Sequence, residues 1–99
     1  MSEILNEEES GLKFGTQVKL TRALPLAINS AEGCKVWIKV TGSKCVPASL
    51  TFDRAGHNHY DEMFAYCFKL PNGEEVWFEF PDTAQKEERI RRLKDFLDW

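Results

Sequence analysis

Through the middle of the chain, apolar and polar residues alternate with the period of two that marks half-buried strands. Val18 and Leu20 alternate with Gln17, Lys19 and Thr21. Leu24-Pro25-Leu26-Ala27-Ile28 is apolar, but Pro25 cannot donate to a ladder, so this piece reads as an edge or an irregular crossing. Asn29-Ser30-Ala31-Glu32-Gly33 supplies turn chemistry. Beyond it Val36, Ile38 and Val40 share one strand face, and Trp37, Lys39 and Thr41 the other. Gly42-Ser43-Lys44 suits a short hairpin loop that would pair Val40 with Val46, Ile38 with Ala48 and Val36 with Leu50. Pro47 makes the returning arm an edge strand.

Pro71-Asn72-Gly73 gives the strongest local signal. Proline and asparagine suit the middle of a type I turn, and glycine the left-handed residue of the bulge after it. The turn sets Leu70 against Glu74, then Phe68 against Val76, Tyr66 against Phe78 and Phe64 against Phe80 on one face. Lys69 with Glu75, Cys67 with Trp77 and Ala65 with Glu79 fall on the other. A two-residue Asn-Gly loop would shift the register by one and mismatch the faces, so turn chemistry and apolar pattern agree only on the bulged hairpin.

The period changes at the end of the chain. Asp82 followed three residues later by Gln85 is a capping-box pattern, and Ile90, Leu93, Phe96 and Leu97 recur at helical spacing. A helix of about sixteen residues is predicted, about 24 Å long, laid on the Phe64–Phe80 face. Glu87 with Arg91, Glu88 with Arg92 and Lys94 with Asp98 would brace it. Residues 1–13 mix glutamate with scattered apolar side chains and read as a flexible acidic tail. The fold class is thus α+β: a small antiparallel sheet of about four to five strands with one C-terminal helix on one face, in a single domain over residues 14–99.

Sixteen acidic against thirteen basic residues leave a net charge of −3. Four of those acids lie in the first nine residues, so the body is near neutral, short of the basic surplus typical of duplex-DNA binders. No apolar run reaches the ~18 residues of a membrane span. The acidic start is unlike a secretory signal, and three cysteines without C-x-x-C spacing suit a reducing cytoplasm.

Three places invite chemistry. Asp53-Arg54-Ala55-Gly56-His57-Asn58-His59-Tyr60-Asp61 reads as a polar loop whose His57 and His59, with Asp53, Asp61 and a cysteine such as Cys45 or Cys67, have the donor types of a transition-metal site. The same loop allows an acid–base reading, His57 or His59 oriented by Asp61 with Cys67 or Ser49 as nucleophile. No second ligand pair has zinc-type spacing and no nucleophile motif is present, so this reading assigns neither a catalytic residue nor a cofactor. The third place is the sheet face that carries Trp37, Lys39, Lys69 and Trp77. With Trp99 at the chain end, these residues could anchor a protein partner or a second copy of the chain. Aromatics and cations on an open face could equally stack single-stranded nucleic acid. The cluster Arg89, Arg91, Arg92 and Lys94 reads as a solvated helix face. The resulting expectation is a non-enzymatic, intracellular protein-interaction module (inhibitor, adaptor or regulatory subunit). Single-stranded nucleic-acid binding and a metal or hydrolytic site at His57–His59 are the alternatives.

Overall fold

The bulged turn at Pro71-Asn72-Gly73 organises the centre of the sheet. In the computed structural model, which describes residues 2–21, 29–30, 37–40 and 49–99, Gly73 takes a φ of 90° and its N–H donates to the Leu70 carbonyl. β6 (Met63–Lys69) and β7 (Glu75–Pro81) pair in the predicted register, Phe68 with Val76, Tyr66 with Phe78 and Phe64 with Phe80.

The remaining strands build outward from this hairpin. They are β1 (Ser2–Ile4), β2 (Gln17–Leu20), β3 (Asn29–Ser30), β4 (Trp37–Val40), β5 (Ser49–Asn58) and β8 (Leu97–Asp98). All pairings are antiparallel, in the order β3-β4-β7-β6-β5-β2-β8, and β1 extends the same β5 edge that β2 occupies. Five strands have four residues or more, and the other three have two or three. With helices α1 (Glu7–Ser10) and α2 (Lys86–Leu93), the fold is α+β on an antiparallel sheet. The core lies on one face, where Phe52, Tyr66, Phe68, Phe78, Phe80 and Leu93 are sealed from solvent.

Several predicted features fall differently. The opening thirteen residues are part of the domain rather than a tail: Leu5 and Leu12 are buried, and α1 sits between them. The reason is local as well as tertiary. The Asn6 side chain accepts from the Glu9 N–H and Glu9 reaches back to the Asn6 N–H, a full capping box. Gly11 ends the turn at φ 85°, where a Cβ would stand 2.9 Å from Ile90 Cγ1.

The terminal helix has eight residues, not about sixteen. Its N-cap is Gln85, because the Asp82 N–H donates to the Glu62 carbonyl and its carboxylate turns toward His57. The helix is capped at Lys94, whose N–H still donates to the Ile90 carbonyl, and Leu97 pairs with Leu20. The open edge of β2 supplies hydrogen bonds that the last turns of a helix would have lacked: Thr21 donates to the Phe96 carbonyl through both its N–H and its hydroxyl. Arg91 and Arg92 pair at i,i+3 spacing, with Glu88 and Asp95 respectively. Leu50 stands opposite Val18, not beside β4. Asn29 and Ser30 pair with Ile38 and Trp37 as a short strand, and the rest of the predicted turn, Ala31 to Gly33, lies outside the described residues. The Leu24–Ile28 crossing, the Gly42–Lys44 loop, Pro47, Cys34 and Cys45 lie outside the described residues.

Arg89 is the largest departure. Predicted on a solvated face, it is 5% exposed. Its Nε donates to Tyr66 Oη at 3.0 Å, Nη1 to the Ala84 carbonyl at 2.7 Å and Nη2 to the Glu9 carbonyl at 2.9 Å. Tyr66 Oη in turn donates to the Ser10 carbonyl at 2.6 Å. Burial pushes the Tyr66 hydroxyl pKa upward, and the Arg89 hydrogen bond only partly opposes it.

Two substitutions test these contacts. Tyr66→Phe strands the Arg89 Nε–H and the Ser10 carbonyl, so urea unfolding should show a loss of about 1–3 kcal/mol. Gly11→Ala meets both the left-handed φ and the Ile90 side chain, and should cost at least about 1–2 kcal/mol in the same assay.

Candidate functional site

The segment 53–61 is mostly strand, and one irregularity decides where its side chains go. Between Phe52 and Arg54 the register with β6 slips by a residue, leaving Asp53 as the extra residue of a bulge. The slip lets Phe52 and Ala55 both face the core despite their odd spacing. It also sends Arg54 to the back of the sheet, opposite Cys67, and His57 to the core side, opposite Phe64.

The back face carries a row of polar and aromatic groups. Trp77 is half-buried, with the Arg54 guanidinium 5.0 Å from its ring centre and its Nε1 donating to Glu75 at 3.1 Å. Arg54 also pairs with Asp53 and with Glu75, and Lys69 pairs with Glu75 at 3.8 Å. By register Lys39 stands across from Trp77 and Trp37 across from Glu79. The structure thus brings Lys69 and Trp77 together on this face as predicted. Trp99 lies elsewhere, beyond β8, with Lys94 Nζ 4.9 Å from its ring. Beside Trp77 runs a groove of about 350 Å³, walled by Ile4, Arg54, Met63, Ala65, Trp77 and Glu79. Ile4 is 74% exposed there, and no hydrogen bond or ion pair joins the Glu79 carboxylate to another described side chain. Neither Ile4 nor the groove was legible in the sequence, because β1 had no strand-like alternation to mark it.

The imidazoles lie at the far end of β5. Glu3 of β1 is the cross-strand partner of His57, and His59 Nε2 is 3.7 Å from Glu3 Oε2. The two rings meet edge to face at 4.3 Å, and His57 also packs on Phe64 at 4.8 Å. His57 Nε2 lies 3.3 Å from Asp82 Oδ2. The donor atoms of Glu3, His57 and His59 lie within 4.8 Å of one another. The carboxylates at this cluster are therefore Glu3 and Asp82, not Asp53 and Asp61. Asp53 pairs with Arg54, and Asp61 is held by Asn58, whose side chain caps the turn by accepting from the Tyr60 and Asp61 N–H groups.

The predicted nucleophiles stand apart from the imidazoles. Ser49 is eight residues from His57 along one strand, roughly 26 Å at strand rise. Cys67 faces the opposite side of the sheet and is fully buried. Burial pushes its thiol up to about 12, with Arg54 opposing and Glu75 and Asp53 adding to the rise. A protonated thiol is neither nucleophile nor metal ligand at neutral pH. Among the described residues no helix is long and apolar enough to cross a membrane. Compared with protein-family models, curated proteins and solved structures, the chain matches none.

The Cys67 environment has a pH signature. An unfolded thiol ionises near about 8.5, whereas the folded one keeps its proton up to about 12, so this group's effect on stability is nil below that window and destabilising as pH rises through it. Urea midpoints should fall above about pH 9, and less steeply in Cys67→Ala. Peptide mapping after thiol labelling at pH 8 should find Cys67 unmodified in the native chain and modified in denaturant.

Proposed function

We propose that this chain is an intracellular, non-enzymatic protein-interaction module that receives a basic and apolar segment of a partner protein in the back-face groove. The observation that carries the reading is the pairing of an aromatic wall, Trp77, with a carboxylate, Glu79, that meets no other described side chain, across one concave surface. Trp77, Ile4 and Met63 offer the kind of apolar anchor that dominates protein contacts, and Glu79 offers a partner for a lysine or arginine beside it. The free buried Cys67 suits a reducing compartment.

Charge favours a protein over single-stranded nucleic acid. Both described cations of the face, Arg54 and Lys69, already meet Glu75, and Glu79 and Asp61 add further negative charge along the groove. A phosphate backbone there would face carboxylates, with both of those cations already engaged. A second copy would bring the same net negative charge, so the partner is a different, basic segment.

Panning a displayed peptide library on the full chain tests this. Peptides with lysine or arginine next to a large apolar residue should be enriched. Their affinity by calorimetry should fall about 30-fold or more in Trp77→Ala and about tenfold in Glu79→Gln, with the circular dichroism of both variants unchanged. No enrichment, or binding of a labelled single-stranded oligonucleotide that drops steeply with salt and is lost in Lys69→Ala, would overturn it.

A further inference from the structure

We propose that Glu3, His57 and His59 form a binding site for one divalent transition-metal ion of the zinc class. The donors come from two segments that the backbone holds in register: Glu3 lies directly across from His57 in the β1–β5 ladder, and His59 comes just after β5 ends. Register pairing makes the approach a property of the fold rather than of two side chains that happen to meet.

The distances suit an ion entering from solvent. Zinc bonds of about 2.0–2.2 Å to nitrogen and carboxylate oxygen place neighbouring donors roughly 3.3 Å apart in a tetrahedral site. Glu3 Oε2 and His59 Nε2 stand at 3.7 Å, and all three donors within 4.8 Å. Closing the remainder takes up to about 1.5 Å of side-chain movement, and the residues that must move are the freer ones: side-chain exposure is 67% for Glu3 and 50% for His59. His57, 17% exposed and packed on Phe64, is the fixed member. Preorganising one ligand while two close on the ion lowers the ordering cost of binding.

The donor set selects the ion class. Two imidazoles and one carboxylate suit zinc, cobalt, nickel or copper, whereas calcium and magnesium call for a shell of oxygens and soft ions for thiolates. Three protein donors leave a coordination position open to water. Asp82 Oδ2 lies 3.3 Å from His57 Nε2 and helps to fix the ring's orientation. Glu3 and His57 also border the groove beside Trp77, but the metal reading rests on their donor atoms and not on Trp77 or Glu79.

The test is calorimetric titration of the full, tag-free chain with Zn2+ and with Co2+ after dialysis against a chelator. One ion should bind per chain with micromolar affinity. The Co2+ complex should develop a visible absorption band, and the melting temperature should rise because the ion ties β1 to β5. Glu3→Gln and His59→Ala lie at exposed positions and should keep the apo melting temperature. Each should weaken binding about tenfold or more and abolish the thermal shift. His57→Ala should do the same, and Asp61→Asn should leave binding intact. Absence of saturable binding at submillimolar metal, or binding that survives Glu3→Gln combined with His59→Ala, would overturn the proposal.

Discussion

A single buried guanidinium holds the two ends of this chain to its centre. Arg89 reaches from α2 to a carbonyl of α1, a carbonyl of the turn before α2 and the phenol of β6, and its ring-stacked position 4.0 Å from Phe64 leaves little room for alternatives. A buried cation is costly unless every donor finds an acceptor. Here the acceptors are carbonyls and a phenol rather than a carboxylate. The Glu9 carbonyl receives Arg89 directly, and the Ser10 carbonyl receives the phenol that Arg89 bonds. The guanidinium therefore stabilises only the arrangement in which the N-terminal segment is docked. Without that segment Tyr66 would lose its acceptor and Arg89 one of its own.

Two backbone irregularities then decide which side chains face which way. Gly73 sets the β6–β7 register and with it the whole aromatic core face. The bulge at Asp53 reverses the facing of everything after it on β5. Had β5 run on regularly from Phe52, Ala55 and His57 would have pointed to the back and Arg54 into the core. The bulge thus delivers the cation to Trp77 and the imidazole to Phe64 in one step. This is why a short insertion in a ladder matters more here than any individual contact it permits.

How far the sequence reaches depends on the range of the forces involved. The β6–β7 hairpin was readable to the residue because its determinants, Pro71 to Gly73 and the flanking alternation, are contiguous. The length of α2 was not, since its end is set by the unpaired edge of β2, some seventy residues earlier. Asn6, Glu9 and Gly11 do spell a capped helical turn, but the glutamates around them weigh toward disorder in a composition argument, and only Leu5 and Leu12 in the core reverse that. At the imidazoles the residue types were visible and the partners were not. Asp53 and Asp61 are near in sequence, while Glu3 and Asp82 arrive through β1 pairing and the turn before α2. Trp77 and Glu79 were placed on the correct face by register alone; Ile4 completes their surroundings only once β1 is in position.

That dependence joins the two candidate surfaces. Successive residues of β1 alternate across the sheet, so Ile4 borders the Trp77 groove, Glu3 meets the imidazoles, and Leu5 enters the core. A strand of three residues has few hydrogen bonds of its own and belongs to the part of a fold that opens most easily. Its hold comes from the neighbouring segment, through the α1 capping box and the Arg89 acceptors. Any ligand that engages Ile4 or Glu3 favours the docked strand, and so favours the other surface by the same free energy. Glu3 and Ile4 are adjacent on one peptide unit, so neither surface can lose β1 while the other keeps it.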